Sequence, residues 1–176
     1  MLVRRGIGRG IGRGAGRGVG RGLGAVGLSA VVVLGAGPAV ADGTLPRSVP
    51  EVDLAYHGQV TMSRGRVETW LIPQNHGPSA VTDATVRLRW SAPVADARWL
   101  PPMCVRADAR TVLCRTGALP ADSRGGQIRV PVRLAGAPSE VTVRIDTMWS
   151  GGSADHNPQN STHHVLALDT GDVYYF

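Results

Sequence analysis

From Gln127 to Leu134 apolar and polar side chains alternate, with Ile128, Val130, Val132 and Leu134 in one frame and Arg129 and Arg133 in the other. Successive side chains of a strand point to opposite sides, so a period of two predicts an extended segment with one face buried and the other wet. Pro131 stands in the outward frame and has no N–H to give a ladder, which places this strand at a sheet edge. Val141, Val143 and Ile145 repeat the pattern against Thr142, Arg144 and Asp146, and Val86, Leu88 and Trp90 repeat it against Arg87 and Arg89. Weaker runs lie at Val52 to Tyr56, Val67 to Ile72, Trp99, Val105, Val112 and Val165 to Leu168. Between Val67 and Ile72 both frames are apolar; Glu68 beside Trp70 and Ile72 assigns Val67, Thr69 and Leu71 to the inside. Turn-forming residues separate the runs at Asn75 to Pro78, Ser123 to Gly126, Gly136 to Ser139 and Gly151 to Ser161. About seven short strands so punctuated predict an all-β antiparallel sandwich without helices.

The first 41 residues obey a different rule. Arg4, Arg5, Arg9, Arg13, Arg17 and Arg21 precede an apolar zone from Leu23 to Leu34, and Pro38 leads into small residues at Ala39 and Ala41. These are the three zones of a secretory signal, with cleavage expected before Asp42. The apolar zone, about a dozen residues, is short of the roughly twenty that span a hydrocarbon core, so no stable membrane anchor is expected. Arg4-Arg5 also permits twin-arginine export, but the usual polar and aromatic neighbours of that pair are missing and general secretion is favoured.

The chain has 19 basic residues against 13 acidic ones, and the six leader arginines account for the whole excess. The high isoelectric point therefore points to no anionic partner. The Gly-Arg-Gly repeats of the leader contain no aromatic residue to stack on bases, and no nucleic-acid partner is expected. Beyond the leader the chain divides into a flexible lead-in over residues 42–50, a sandwich over 51–170 and an aromatic tail over 171–176. A body of this size can bury roughly two thirds of its unfolded surface in one core.

Cys104 and Cys114 are the only cysteines. Export takes them to an oxidising compartment, and a hairpin turning at Ala109 would set them opposite each other on paired strands, so a disulfide is expected. Their spacing is far from Cys-x-x-Cys, and no second pair exists to complete a zinc site.

Three segments carry a family resemblance: Val52-Asp53-Leu54, Asn75-His76-Gly77-Pro78-Ser79 and Asp155-His156-Asn157-Pro158-Gln159-Asn160. Together they resemble the bacterial immunoglobulin-like surface-repeat family, catalogued as domain of unknown function eleven and related to the cell-adhesion-related bacterial domains. The resemblance spans about Glu51 to Leu168 and implies an extracellular immunoglobulin-like sandwich of seven strands with no catalytic or cofactor residues. The chain departs from the pattern in carrying one copy, in lacking a wall-sorting tail, and in Ser161, where the family more often has Asn. Read as chemistry, these motifs are structural turns. Asn75 can bond the backbone two residues on, Gly77 can adopt positive φ, and Pro78 ends the ladder. Asp155, Asn157 and Asn160 offer similar local bonding, and with one carboxylate among three they make a poor calcium site.

The remaining candidates for function are few. His156, His163 and His164 suggest a metal, but adjacent residues of a strand face opposite ways, and no metal or other cofactor is expected. Trp90 belongs to the core frame, whereas Trp99 and Trp149 lie nearer loops and are the candidates for stacking on a glycan. No Gly-x-Ser-x-Gly elbow, His-Glu-x-x-His pair or phosphate loop occurs, so no catalytic residue is assigned. Val173 to Phe176 can dock on the sandwich itself or on a partner's sheet edge. The expectation is a secreted, non-catalytic structural or interaction module, or alternatively a carbohydrate-binding accessory protein, with an extracellular protein or glycan as partner. Intact-mass measurement of culture supernatant should find a chain beginning at Asp42 and lighter by two hydrogens than its reduced form; a retained leader or free thiols would contradict the export reading.

Overall fold

The computed structural model describes residues 48–176. The leader, the expected cleavage point at Ala39, Ala41 and Asp42, and most of the lead-in lie outside the described residues. Thirteen strands run in order along the described residues. The first five are β1 (Glu51–Val52), β2 (Leu54–Ser63), β3 (Arg66–Asn75), β4 (Thr85–Trp90) and β5 (Val94–Asp96). Next come β6 (Cys104–Arg106), β7 (Thr111–Arg115), β8 (Ser123–Arg124) and β9 (Ile128–Leu134). The last four are β10 (Glu140–Trp149), β11 (Ala154–Asp155), β12 (His163–Leu168) and β13 (Val173–Tyr175).

Two antiparallel sheets pack as a sandwich, one of five strands in the order β12-β10-β4-β7-β6 and one of six containing the path β13-β2-β3-β9-β5. β8 adds to β3, and β1 pairs in parallel with β11. The strand count exceeds about seven because several strands are only two or three residues long, too short for alternation to show.

The core is built from the inward frames. Val67, Leu71, Val130 and Val132 of one sheet meet Val86, Leu88, Trp90, Val143 and Ile145 of the other, and Thr69 is buried among them as its frame requires. Glu68, Trp70 and Ile72 take the opposite, partly exposed side. A side-chain polar link crosses the apolar layer where Tyr56 Oη and Thr147 Oγ1 lie 2.8 Å apart. Burial pushes the Tyr56 phenol up to about 12, and nearby Asp155 and Asp146 add to the rise against the opposing effect of the hydrogen bond shared with Thr147.

β9 is not the edge strand that Pro131 predicts, because short β5 pairs beyond it, yet the proline still meets no ladder partner. The Leu134 N–H donates to Gly65 O, which by the alternation of an antiparallel ladder turns the Pro131 nitrogen away from β3. On that side β5 reaches only Arg133 and Leu134, so the missing donor falls on open edge. The cysteines are directly opposed in the β6–β7 register and form a disulfide, with Cα atoms 4.0 Å apart. Trp99, expected in a strand, instead sits in a turn between β5 and β6.

The corner after β3 is held by one buried side chain. Asn75 Oδ1 accepts the Gly77 N–H at 3.0 Å, while its Nδ2 donates to Ser79 O at 2.8 Å and Pro120 O at 3.1 Å. That knot seats the second core, formed by Val52, Leu54, Val81, Ala84 and Leu119. Gly77 is required for a reason other than the expected positive φ, since it is not among the residues with positive φ. A Cβ there would lie 2.5 Å from Val52 Cα, so glycine permits two backbones to touch.

The second motif is less local than its Asx pattern suggested. Asp155 does accept the Asn157 N–H at 3.1 Å, but it belongs to β11 beside β1. Asn160 Nδ2 donates to Asp53 Oδ1 at 2.8 Å, tying this loop to the start of β2. The C-terminal residues complete the six-stranded sheet as β13, with the Phe176 N–H and Gly58 O at 3.1 Å continuing the ladder. A Cβ on Gly58 would collide with the Trp70 carbonyl and the Phe176 ring.

Asn75→Ala should destabilise the fold by about 3 kcal/mol, because it strands buried carbonyls and an N–H as well as removing their partner. Urea unfolding checks this, and a loss below about 1 kcal/mol would contradict the role assigned to Asn75.

Candidate functional site

Cross-strand register brings distant residues together on the outward face of the six-stranded sheet. Tyr175 of β13 pairs with Gln59 of β2, Gln59 with Trp70 of β3, and Trp70 with Arg129 of β9. This is one row across four strands, with Tyr175 about 10 Å from Trp70 by two strand spacings. Tyr175 is 77% exposed. Trp70 is half-buried and its ring is capped by the Arg129 guanidinium carbon, 4.9 Å from the ring centroid. That guanidinium is held in turn by Glu68, with Nη2 to Oε1 at 2.7 Å and Nε to Oε2 at 3.2 Å.

Beside this row lies an open groove of about 560 Å³ between the outward face of β3 and β9 and the turn carrying Trp99. Trp99 is 77% exposed for a local reason. Ala97 and Leu100 pack against the core, and the Leu100 N–H donates to Ala97 O at 3.3 Å, so the turn pushes the intervening ring outward. Asp96 clamps the turn, accepting the Arg98 N–H at 3.0 Å and pairing with Arg98 Nε at 2.7 Å. The Arg98 backbone N–H holds the Asp96 carboxyl below its ordinary value, and the Arg98 and Arg133 charges act the same way against a smaller desolvation effect.

Trp149, the other tryptophan expected to meet a glycan, is 49% exposed but lines a separate depression on the five-stranded sheet. A bulge between Thr147 and Trp149 aims it there. Its surroundings are structural. Asp146 is almost buried and receives Arg87 Nε at 2.8 Å and Arg144 Nε at 2.7 Å, and the hydrogen bond to Asp146 is the main cause raising the Arg87 guanidinium above its ordinary value.

The histidines do not converge. His156 Nε2 lies 3.4 Å from Glu51 Oε1, and His164 is exposed on the other side of β12 from His163. His163 Nε2 is 3.1 Å from Asn160 O, and its ring lies 5.0 Å from that of Phe176. Among the described residues no three His, Cys, Asp or Glu side chains gather as a metal would require.

Sequence reasoning marked Trp99 but missed Trp70, Tyr175 and the arginines around them as its companions. The outward frame of β3 was the available signal for Trp70. No family model, curated protein or solved structure matches this chain.

Burial is the main cause depressing the His163 imidazole below its ordinary value, with the His57 charge acting the same way against hydrogen bonds to the backbone at Asn160 and Tyr56. The unfolded chain therefore takes up this proton first as pH falls below about 6.5, and the folded state loses relative stability from there downward. The melting temperature should fall more steeply between about pH 7 and pH 5 in the wild type than in His163→Gln; parallel profiles would contradict this.

Proposed function

We propose that this chain is exported and works outside the cell as a non-catalytic, immunoglobulin-like interaction module. Its working surface in this reading is the outward face of the six-stranded sheet. The carrying observation is that Trp99 and Tyr175, each 77% exposed, flank the face that also presents Trp70. Trp99, Tyr175 and Trp70 concentrate aromatic area on this face, whereas the opposite sheet exposes Trp149, and such a concentration favours a surface kept for binding. The leader and the disulfide support export, and the three resembling segments support the immunoglobulin-like assignment. The groups whose protonation is displaced, such as Tyr56, Arg87 and His163, are accounted for by burial and by fold contacts, which favours a binding role over chemistry.

Between a protein and a glycan partner, the flat aromatic face favours the glycan. Rings spaced along a sheet can stack on the C–H faces of an extended polysaccharide, and Gln59, between Tyr175 and Trp70, can bond its hydroxyls. Labelled protein comprising residues 42–176 should be retained by envelopes of the producing cells even after these are stripped with protease. Trp99→Ala combined with Tyr175→Ala should lower retention at least about tenfold, while Trp149→Ala leaves it unchanged. Retention abolished by protease would make the partner a protein, and no retention on either surface would remove the binding reading.

A further inference from the structure

We propose that the groove beside Trp99 selects an acidic sugar, with Trp99 stacked on the pyranose ring and Arg66 and Arg133 holding its carboxylate. This rests on the glycan reading of the same face and adds the chemical class of the ligand.

The arginines carry the inference. Arg66 of β3 and Arg133 of β9 are direct cross-strand partners, both exposed. By the parity set at Leu134 and Gly65 they form a non-hydrogen-bonded pair, the closer of the two kinds, with Cα atoms about 4.5 Å apart. Like charges so placed oppose folding. Two carboxylates also line the groove, but each already has a partner. Glu68 is engaged by Arg129 in a fork, and Asp96 by Arg98 through both side chain and backbone. Asp96 senses the Arg133 charge, yet among the described residues neither Arg133 nor Arg66 forms an ion pair. Two uncompensated positive charges therefore sit in one groove, although the chain after its leader balances 13 arginines against 13 acids.

The rest of the groove suits a sugar. Pro101 and Pro131 are rigid apolar walls, and Trp99 offers a free ring. A volume of about 560 Å³ lies within the range of small-ligand sites and would admit one or two sugar units. A planar carboxylate matches the guanidinium fork, and an anion placed between Arg66 and Arg133 turns their repulsion into attraction to the ligand. An acidic peptide would use the charges but leave the ring without a flat partner.

The test uses the protein comprising residues 42–176 in calorimetric titrations with short oligomers of galacturonate, glucuronate and mannuronate, their methyl esters, and hexaglutamate. At least one oligouronate should bind about tenfold more tightly than its ester at low salt, with the advantage shrinking as salt rises. Arg66→Gln combined with Arg133→Gln should abolish that advantage, whereas Trp99→Ala should weaken acid and ester alike. Thermal melting verifies that each variant is folded. Equal binding of acid and ester would overturn the charge selection while leaving the glycan reading intact. Hexaglutamate binding as tightly as the best oligouronate would show anion capture without sugar recognition and overturn the proposal. Failure of every saccharide would overturn it as well, and retention on protease-stripped envelopes would then show whether the wider glycan reading survives.

Discussion

A β-sheet with one apolar face cannot remove that face from water alone, and here two sheets solve the problem by facing each other. Val67, Leu71 and Val132 have nowhere to go without Leu88, Val143 and Ile145 opposite them. Each such side chain contributes roughly 1.5–3 kcal/mol on full burial. Because side chains alternate, this burial also fixes every register, since a slip of one residue would carry arginines inward and valines outward. The outward faces are thus consequences of the inward ones. Tyr175, Trp70 and Arg129 share a row because Val60, Thr69 and Val130 have to be buried beneath them.

The ends of the sandwich need polar devices, because loops arriving over an apolar core bring backbone groups that must find partners. Asn75 meets that need at one end by mimicking a turn with its carbonyl and bridging to a distant loop with its amide. Gly77 lets the start of the domain lie directly against this corner. Asn160 makes an analogous long-range tie to Asp53. At the sheet margins, Pro131 leaves an open edge without a donor, and β13 covers the free side of β2. The disulfide clips the short hairpin from which the five-stranded sheet ends, where three-residue β6 has little ladder of its own.

The outward face of the six-stranded sheet stands apart from its counterpart. On the five-stranded sheet Arg87 and Arg144 converge on one nearly buried aspartate, which offsets the opposition of Arg144 to the exposed Arg89 across paired strands. On the six-stranded sheet aromatic rings remain in solvent and two arginines oppose each other across paired strands. The first arrangement satisfies itself. The second leaves both apolar area and charge exposed to solvent.

The alternation in β4, β9 and β10 was readable because it is a local property: each residue's side is set by its neighbours two positions away. The same holds for the frame of β3, for Trp90 in the core, and for the hairpin midpoint at Ala109 that brings Cys104 to Cys114. Gly77 was legible as a special position but not for its reason, since the approach of Val52 depends on chain far away. Trp99 was marked as a surface candidate, while its turn was mistaken for a strand because Ala97 and Leu100 reach the core without regular pairing. Sequence by itself determined which residues face in, which face out and where the chain must turn, since these depend on stereochemistry over a few bonds. Only the tertiary structure decided which outward residues become neighbours, placing Tyr175 near Trp70 and Arg66 against Arg133, because strand order and register are set by burial of the whole core.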